Sequence, residues 1–450
     1  MTQPTDLAAL AGDLLHAATR AGADGADALA VDGASVSVDV LRGKLEHAER
    51  SEGVEIGLRV FVGHRQACVS ASDTRPETLR TMAERAVAMA REAPEDPHAG
   101  LADPSQLAEA WDAAALDLVD GAEAPSPAEL QDWAARAEAA ALAVDGIAQV
   151  SSAGAGHGDR RIHLAATNGF SGGYRRTGTS LSCVAITGEG TGMERDYYGD
   201  SRVHRADMDD PETVGRRAAE RTVARRGARK PPTGAYPVLY NERVAGGLIG
   251  HLLSAVSGSA VARGATFLRD ALGEAVLPEG IDVWEDPLLA RISASRPFDA
   301  EGLPVARRDI VRGGVLEGWT LDLATARKLG MPSTGNAARG TSAPPSPSVT
   351  NVRMTEGAAT RDALLREMGT GLLVTSMIGS SINPTTGDYS RGASGFWVEG
   401  GEIAYPVNEC TVAGNLRAML RTIAPANDAR PWVSRAVPSL RVEGLTIAGG

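Results

Sequence analysis

Between Ser35 and Val60 the chain alternates apolar and polar side chains. Val36, Val38 and Val40 are set against Ser35, Ser37 and Asp39, and Val54, Ile56, Leu58 and Val60 against Glu55, Gly57 and Arg59. Successive side chains of an extended strand point to opposite faces, so both segments read as half-buried strands. Just before them, Leu7, Leu10, Leu14 and Leu15 fall at helical spacing from Asp6 to about Ala21, with Thr5 or Asp6 available as N-cap. A helix followed by consecutive strands, without strict βαβ alternation, predicts an α+β fold.

The rest of the first half keeps this mixture. Val62-Gly63-His64-Arg65 reads as a turn into a strand at Ala67 to Ala71, and helices are expected at Pro76 to Ala93, Ala128 to Val144 and Pro211 to Arg226. Strands are expected at Ala148 to Ala153, Arg160 to Ala166 and Thr177 to Thr187, with Asn168-Gly169 as a hairpin turn. Lys230-Pro231-Pro232-Thr233-Gly234 breaks regular structure and suggests two domains, an α+β unit at 1–229 and a strand-rich unit at 230–450. The second opens with a strand at Tyr236 to Tyr240 and continues in short apolar runs punctuated by Gly and Pro.

Val244 to Ala262 carries no formal charge, but its glycines and serines suit a buried helix better than a membrane span. Gly246, Gly250, Ser254 and Gly258 recur every four residues, a stripe that permits close approach of another backbone. No basic and apolar leader follows Met1, and Cys68, Cys183 and Cys410 form neither a disulfide framework nor a metal knuckle, so a cytoplasmic, reducing compartment is expected.

The net charge of -12 argues against a nucleic-acid surface. Arg216, Arg217, Arg221, Arg225, Arg226, Arg229 and Lys230 read as a solvated helix face running into a linker. No HExxH zinc helix, phosphate loop or nucleophile elbow is present. His157, Asp159 and His163 would share one strand face, yet Arg161 would share it too and disfavours a metal. The densest polar cluster, Gly379 to Trp397, reads as a structured loop whose glycines allow close approach of a ligand or strand.

That cluster carries a family resemblance. Ser381-Ile382-Asn383-Pro384, Gly387 to Gly395, Trp397 to Ile403 and Pro406-Val407 resemble the signature of the TldD/PmbA family, once called modulators of DNA gyrase. Gly53 to Val60, Asn168-Gly169-Phe170 and Ser439 to Gly450 also agree, so the resemblance covers essentially the whole chain. The TldD branch is a zinc peptidase with a HExxxH helix and a later Cys; the PmbA (TldE) branch lacks them. Here Gly250, His251 and Ala255 fall near the positions of the first His, the Glu and the second His, and Pro431 to Arg435 offers no Cys.

The resemblance therefore implies a non-catalytic TldE-like subunit with no cofactor of its own and zinc on the partner. It implies a heterodimer with a TldD-like zinc peptidase, or a homodimer when unpaired, acting on extended peptides such as peptide-antibiotic precursors and antitoxins. Candidate peptide or partner contacts are Asn383, Asp388, Tyr389, Arg391, Gly392 and Ser394. Two other readings stand beside it: an autonomous hydrolase with His251 as base, and a direct regulator of gyrase or DNA.

Overall fold

The structure, a computed structural model, describes residues 5–449, with Ser380 described by its backbone alone. Met1 to Pro4, on which part of the leader reading rests, and Gly450 lie outside the described residues.

The alternating segments become one long hairpin, β1 (Gly25–Leu41) and β2 (Lys44–Val62). Strand β3 (Arg65–Ala71) flanks β2, while β4 (Ile147–Ala166), β5 (Ser171–Thr187) and β6 (Glu194–Arg202) extend from the other side of β1. All five pairings are antiparallel, in the order β3-β2-β1-β4-β5-β6. The β4–β5 turn is the Asn168-Gly169 pair, where Gly169 takes the φ of +100° that favours glycine. The short strands expected at Ala148 to Ala153 and Arg160 to Ala166 are one strand, because Gly154, Gly156 and Gly158 continue the ladder without marking it by apolar residues.

Four helices cover one face of this sheet. Helix α1 (Leu7–Ala21) starts at Asp6, whose carboxylate accepts from the N–H groups of Ala8 and Ala9, and packs with α2 (Pro76–Glu92) on Ala26, Ala28 and Ala30 of β1. Helices α3 (Pro127–Leu142) and α4 (Pro211–Ala224) cover Val38 and Val40 of the same strand. These residues are all even-numbered, so the odd face of β1 is left free of these helices, and Val31, Gly33 and Ser35 on it line a concave groove.

In the second half, β7 (Gly234–Tyr240), β8 (Gly371–Ile382), β9 (Asp388–Glu399), β10 (Glu402–Asn415) and β11 (Leu440–Ala448) run in the order β10-β9-β8-β7-β11. Pairing of β10 with β11 closes them into a five-stranded barrel. Helix α5 (Glu242–Ala255) contributes Leu248, Ile249 and Leu252 to the core that contains Tyr240 and Trp397 of the barrel. Short strands at Val283–Glu285, Arg308–Arg312, Val315–Leu316, Val352–Met354 and Arg435–Ala436 form a second sheet. The α+β class and the strand-rich second half are as the sequence suggests.

Two local readings need correction. The uncharged stretch is not one helix: α5 stops at Ala255 and a short helix resumes at Gly258. Between them Thr320 donates to Val256 O and accepts from Gly258 N, while the Thr266 hydroxyl bonds Ala255 O, so crossing segments take the backbone groups that would continue the helix. Nor is Gly379 to Trp397 a loop; apart from a turn at 383–387 it is the β8–β9 hairpin. Among the described residues no helix is long and apolar enough to cross a membrane.

Candidate functional site

Asn241 caps α5 by accepting from Arg243 N. The glycine face that follows is met most closely by a side chain. A Cβ on Gly250 would stand 2.9 Å from Nη1 of Arg435, and one on Gly246 would stand 3.4 Å from its Cδ. Arg435 lies along this face and donates from Nη1 to Gly246 O at 3.2 Å.

The segment carrying Arg435 is fixed from three directions. Arg435 pairs with Val352 in a parallel ladder, the Arg353 guanidinium donates to the carbonyls of Pro431 at 2.9 Å and Val433 at 3.0 Å, and Trp432 lies under Arg202 at 4.5 Å. The resemblance drew attention to these residues only for the missing Cys. That they supply a guanidinium instead has no motif to announce it.

His251 follows Gly250 but faces elsewhere, its ring edge-on to Tyr389 at 5.8 Å. Its Nε2 is buried and without a hydrogen-bond partner. Burial lowers its pKa below the ordinary 6.5, and the positive charges of Arg391 and Arg435 lower it further, so the ring is held neutral. Ala255 is 5% exposed and packs in the core. The three positions thus have three environments: a guanidinium, an aromatic ring and the core.

The signature residues divide between turn, core and surface. Asn383 accepts from the N–H groups of Thr385 and Thr386, and Asp388 accepts from Thr386 Oγ1 and Asn415 Nδ2, so both build the β8–β9 turn. The hydroxyl bond from Thr386, followed by that from Asn415, holds the Asp388 carboxyl below its ordinary pKa. Tyr389 is 3% exposed. Arg391 donates to Gly379 O at 2.8 Å, and a Cβ on Gly392 would meet Ile378 Cγ2 at 2.5 Å.

Ser394 joins the two halves of the chain through Arg225, which donates to its Oγ at 3.0 Å and to Glu194 at 3.2 Å. Beside it, Arg243 at the start of α5 pairs with Asp196 of β6 at 2.7 Å. The basic stretch is therefore not simply a solvated face. Arg225 is 8% exposed, and Arg229 lies over the Tyr405 ring at 3.7 Å.

Among the described residues no three His, Cys, Asp or Glu side chains gather as a metal site. His157 instead meets Thr179 Oγ1 at 2.9 Å, His163 meets Ser171 Oγ at 3.0 Å, and Asp159 pairs with Arg175. The residues on α5 do not fit zinc. A divalent ion needs convergent lone pairs, and here glycine, alanine and an unsupported imidazole stand beside a permanent cation.

Comparison with known proteins agrees with this architecture along nearly the whole chain. The PmbA/TldA metallopeptidase domain 1 matches residues 26–90, the central domain 120–226, and the C-terminal domain 233–449. The chain belongs to the PmbA/TldD metallopeptidase family. Within it, the chain is similar to metalloprotease PmbA of Escherichia coli O157:H7, 39% identical over 428 residues, with 95% of this chain and 92% of that protein covered. The PmbA homolog of Haemophilus influenzae is 37% identical over 438 residues, covering 96% and 94%. A solved structure described as a modulator of DNA gyrase, from Bacteroides thetaiotaomicron, superposes with a TM-score of 0.89 at 27% identity over 98% of each chain. TldE from Thermococcus kodakarensis shares the fold, with a TM-score of 0.84 at 20% identity over 98% of this chain and 100% of that one.

Proposed function

We propose that this chain is the non-catalytic, TldE-like subunit of a TldD/TldE-type metallopeptidase, pairing with a TldD-like subunit that carries the zinc and the reaction centre. Its own part is to enclose extended peptides and to stabilise the partner. The observation that carries this reading is Arg435 laid along Gly246 and Gly250, which places a fixed cation against the helix where catalytic relatives place ligands. Peptide contacts on this chain are assigned to the exposed part of the β8–β9 hairpin, around Asn383 and Arg391, with Ser394 tying it to the first half through Arg225 and Gly392 letting its two strands close on Ile378.

Co-expression with a TldD-like subunit from the same organism tests the reading. A stable complex that cleaves unfolded peptides, beside an isolated chain that cleaves none, supports it; peptidase activity of the isolated chain overturns it. If that isolated activity also disappears in a folded His251→Ala variant, the chain is a hydrolase with His251 as its base. Salt-sensitive retention of DNA would favour the gyrase reading, against which the net charge of -12 counts.

A further inference from the structure

The concave face of the first sheet is graded. Strands β2, β1, β4 and β5 put residues side by side in register, so each row across the sheet can be read as a unit. One row is Ser51, Ser35, Gly158 and Gly178; the next is Gly53, Gly33, Arg160 and Arg176; the third is Glu55, Val31, Ile162 and Tyr174. The small rows leave an open groove of about 670 Å³. It continues into a cleft of about 410 Å³ between the sheet and the second half of the chain, where Leu164, Tyr174 and Phe298 supply apolar wall.

The charge of that cleft is unbalanced. Its lining residues include Arg160, Arg176, Arg296 and Arg339 against Glu55 and Asp299. Arg176 and Arg296 are held by neutral carbonyls, Ser293 and Ser295 for the first, Ala337 and Gly335 for the second, and the Nε of each has no acceptor. Arg339 pairs with Asp27 beneath the cleft. Arg160 is exposed and takes no hydrogen bond or ion pair among the described residues.

The two acids offset part of this and leave the arginines in excess. Asp299 already accepts the backbone N–H groups of Glu301, Leu303 and Ala337, and Glu55 accepts the Thr341 hydroxyl. In a chain of net charge -12 this is a local excess of positive charge, and low-dielectric walls focus it on the cleft.

We propose that this cleft binds a carboxylate joined to an apolar body, with the carboxylate at Arg160 and Arg176 and the body against Ile162, Tyr174 and Phe298. The groove of small residues leads to it, so the matching ligand is the C-terminal residue of an extended peptide. In naming a peptide as the body, the proposal rests on the peptide-enclosing role argued above. The carboxylate site itself does not.

The test is calorimetric titration of the full chain, without a partner subunit. The probes are a peptide ending in leucine with a free carboxylate, the same peptide as its C-terminal amide, N-acetylleucine and inorganic phosphate. The free acid should bind about tenfold or more tightly than the amide, because the amide loses a charge-assisted pair. Arg160→Ala, at an exposed position that holds nothing else, should remove most of that difference while the circular dichroism spectrum stays unchanged.

The remaining arms separate the sources. Tighter binding of the peptide than of N-acetylleucine assigns the cleft to peptide ends; equal binding with the acid preference intact assigns it to a small free acid and upholds the carboxylate site. Equal binding of acid and amide, no binding of either, an Arg160→Ala variant with full discrimination, or phosphate binding as tightly as the peptide would each overturn the proposal. Because no partner is present, loss of the peptidase reading would leave these outcomes intact.

Discussion

The guanidinium of Arg435 fills the side of α5 that Gly250 leaves open, with Nη1 2.9 Å from where a Cβ would stand. Two groups sense its charge, the Gly246 carbonyl that accepts from it and the His251 imidazole whose pKa it helps to lower. Arg435→Met keeps much of the aliphatic stem but removes the cation and the hydrogen bond. It should destabilise the second half by about 1 kcal/mol, and the His251 midpoint in an NMR titration should move upward. A midpoint that does not move would separate the two residues electrically.

The pH dependence of stability follows from the same imidazole. Folded His251 has a pKa below 6.5, whereas the unfolded ring titrates near that value. Above it both states are neutral and the group contributes nothing. As the pH falls through it, the unfolded chain takes up a proton that the folded ring refuses, so stability declines. In urea melts between pH 7.5 and 5.5, His251→Gln should show a shallower decline than the natural chain. An equal slope would mean the folded ring titrates normally.

What was legible in the sequence follows from how each element announces itself. The β1–β2 hairpin shows because Val, Ile and Leu alternate with polar residues. The β8–β9 hairpin does not, because its inward positions Tyr389, Ala393 and Trp397 are interleaved with glycine and serine. The glycine spacing on α5 indicated a close approach but not its occupant, since Arg435 arrives from a strand far along the chain. The arginine cleft had no linear signal at all: Arg160 and Arg176 face each other only through the β4–β5 register, and Arg296 and Arg339 come from the second half.

Glycines on two helices separate propensity from packing. Gly247 is exposed on α5 with nothing within 4 Å of an added Cβ, so Gly247→Ala should stabilise by about 0.5–1 kcal/mol. Gly215 lies where α4 crosses α3, and a Cβ there would stand 2.0 Å from the backbone oxygen of Ala137. Gly215→Ala should therefore destabilise by about 1–3 kcal/mol as the helices are forced apart. The midpoint of each variant's urea transition decides; shifts of the same sign would refute the distinction.

Asp27 lies at the junction of the two halves, 2% exposed, where Arg59 from β2 and Arg339 from the second half share its carboxylate. Asp27→Asn keeps the shape and leaves two guanidinium groups buried together. The expected cost is about 3–5 kcal/mol, read as an early transition in urea and faster proteolysis between the halves. A loss below about 1 kcal/mol, the range of an exposed pair, would show that this pair does not hold the junction.

Helix α5, lined by glycine, alanine and a lone imidazole beside Arg435, is not built to hold zinc, and elemental analysis asks that directly. The chain, purified alone after exposure to zinc and desalting, should carry no stoichiometric metal, while its complex with a TldD-like subunit should carry zinc that leaves with that subunit. One tightly held zinc per isolated chain, together with chelator-sensitive cleavage of peptides by that chain, would contradict it.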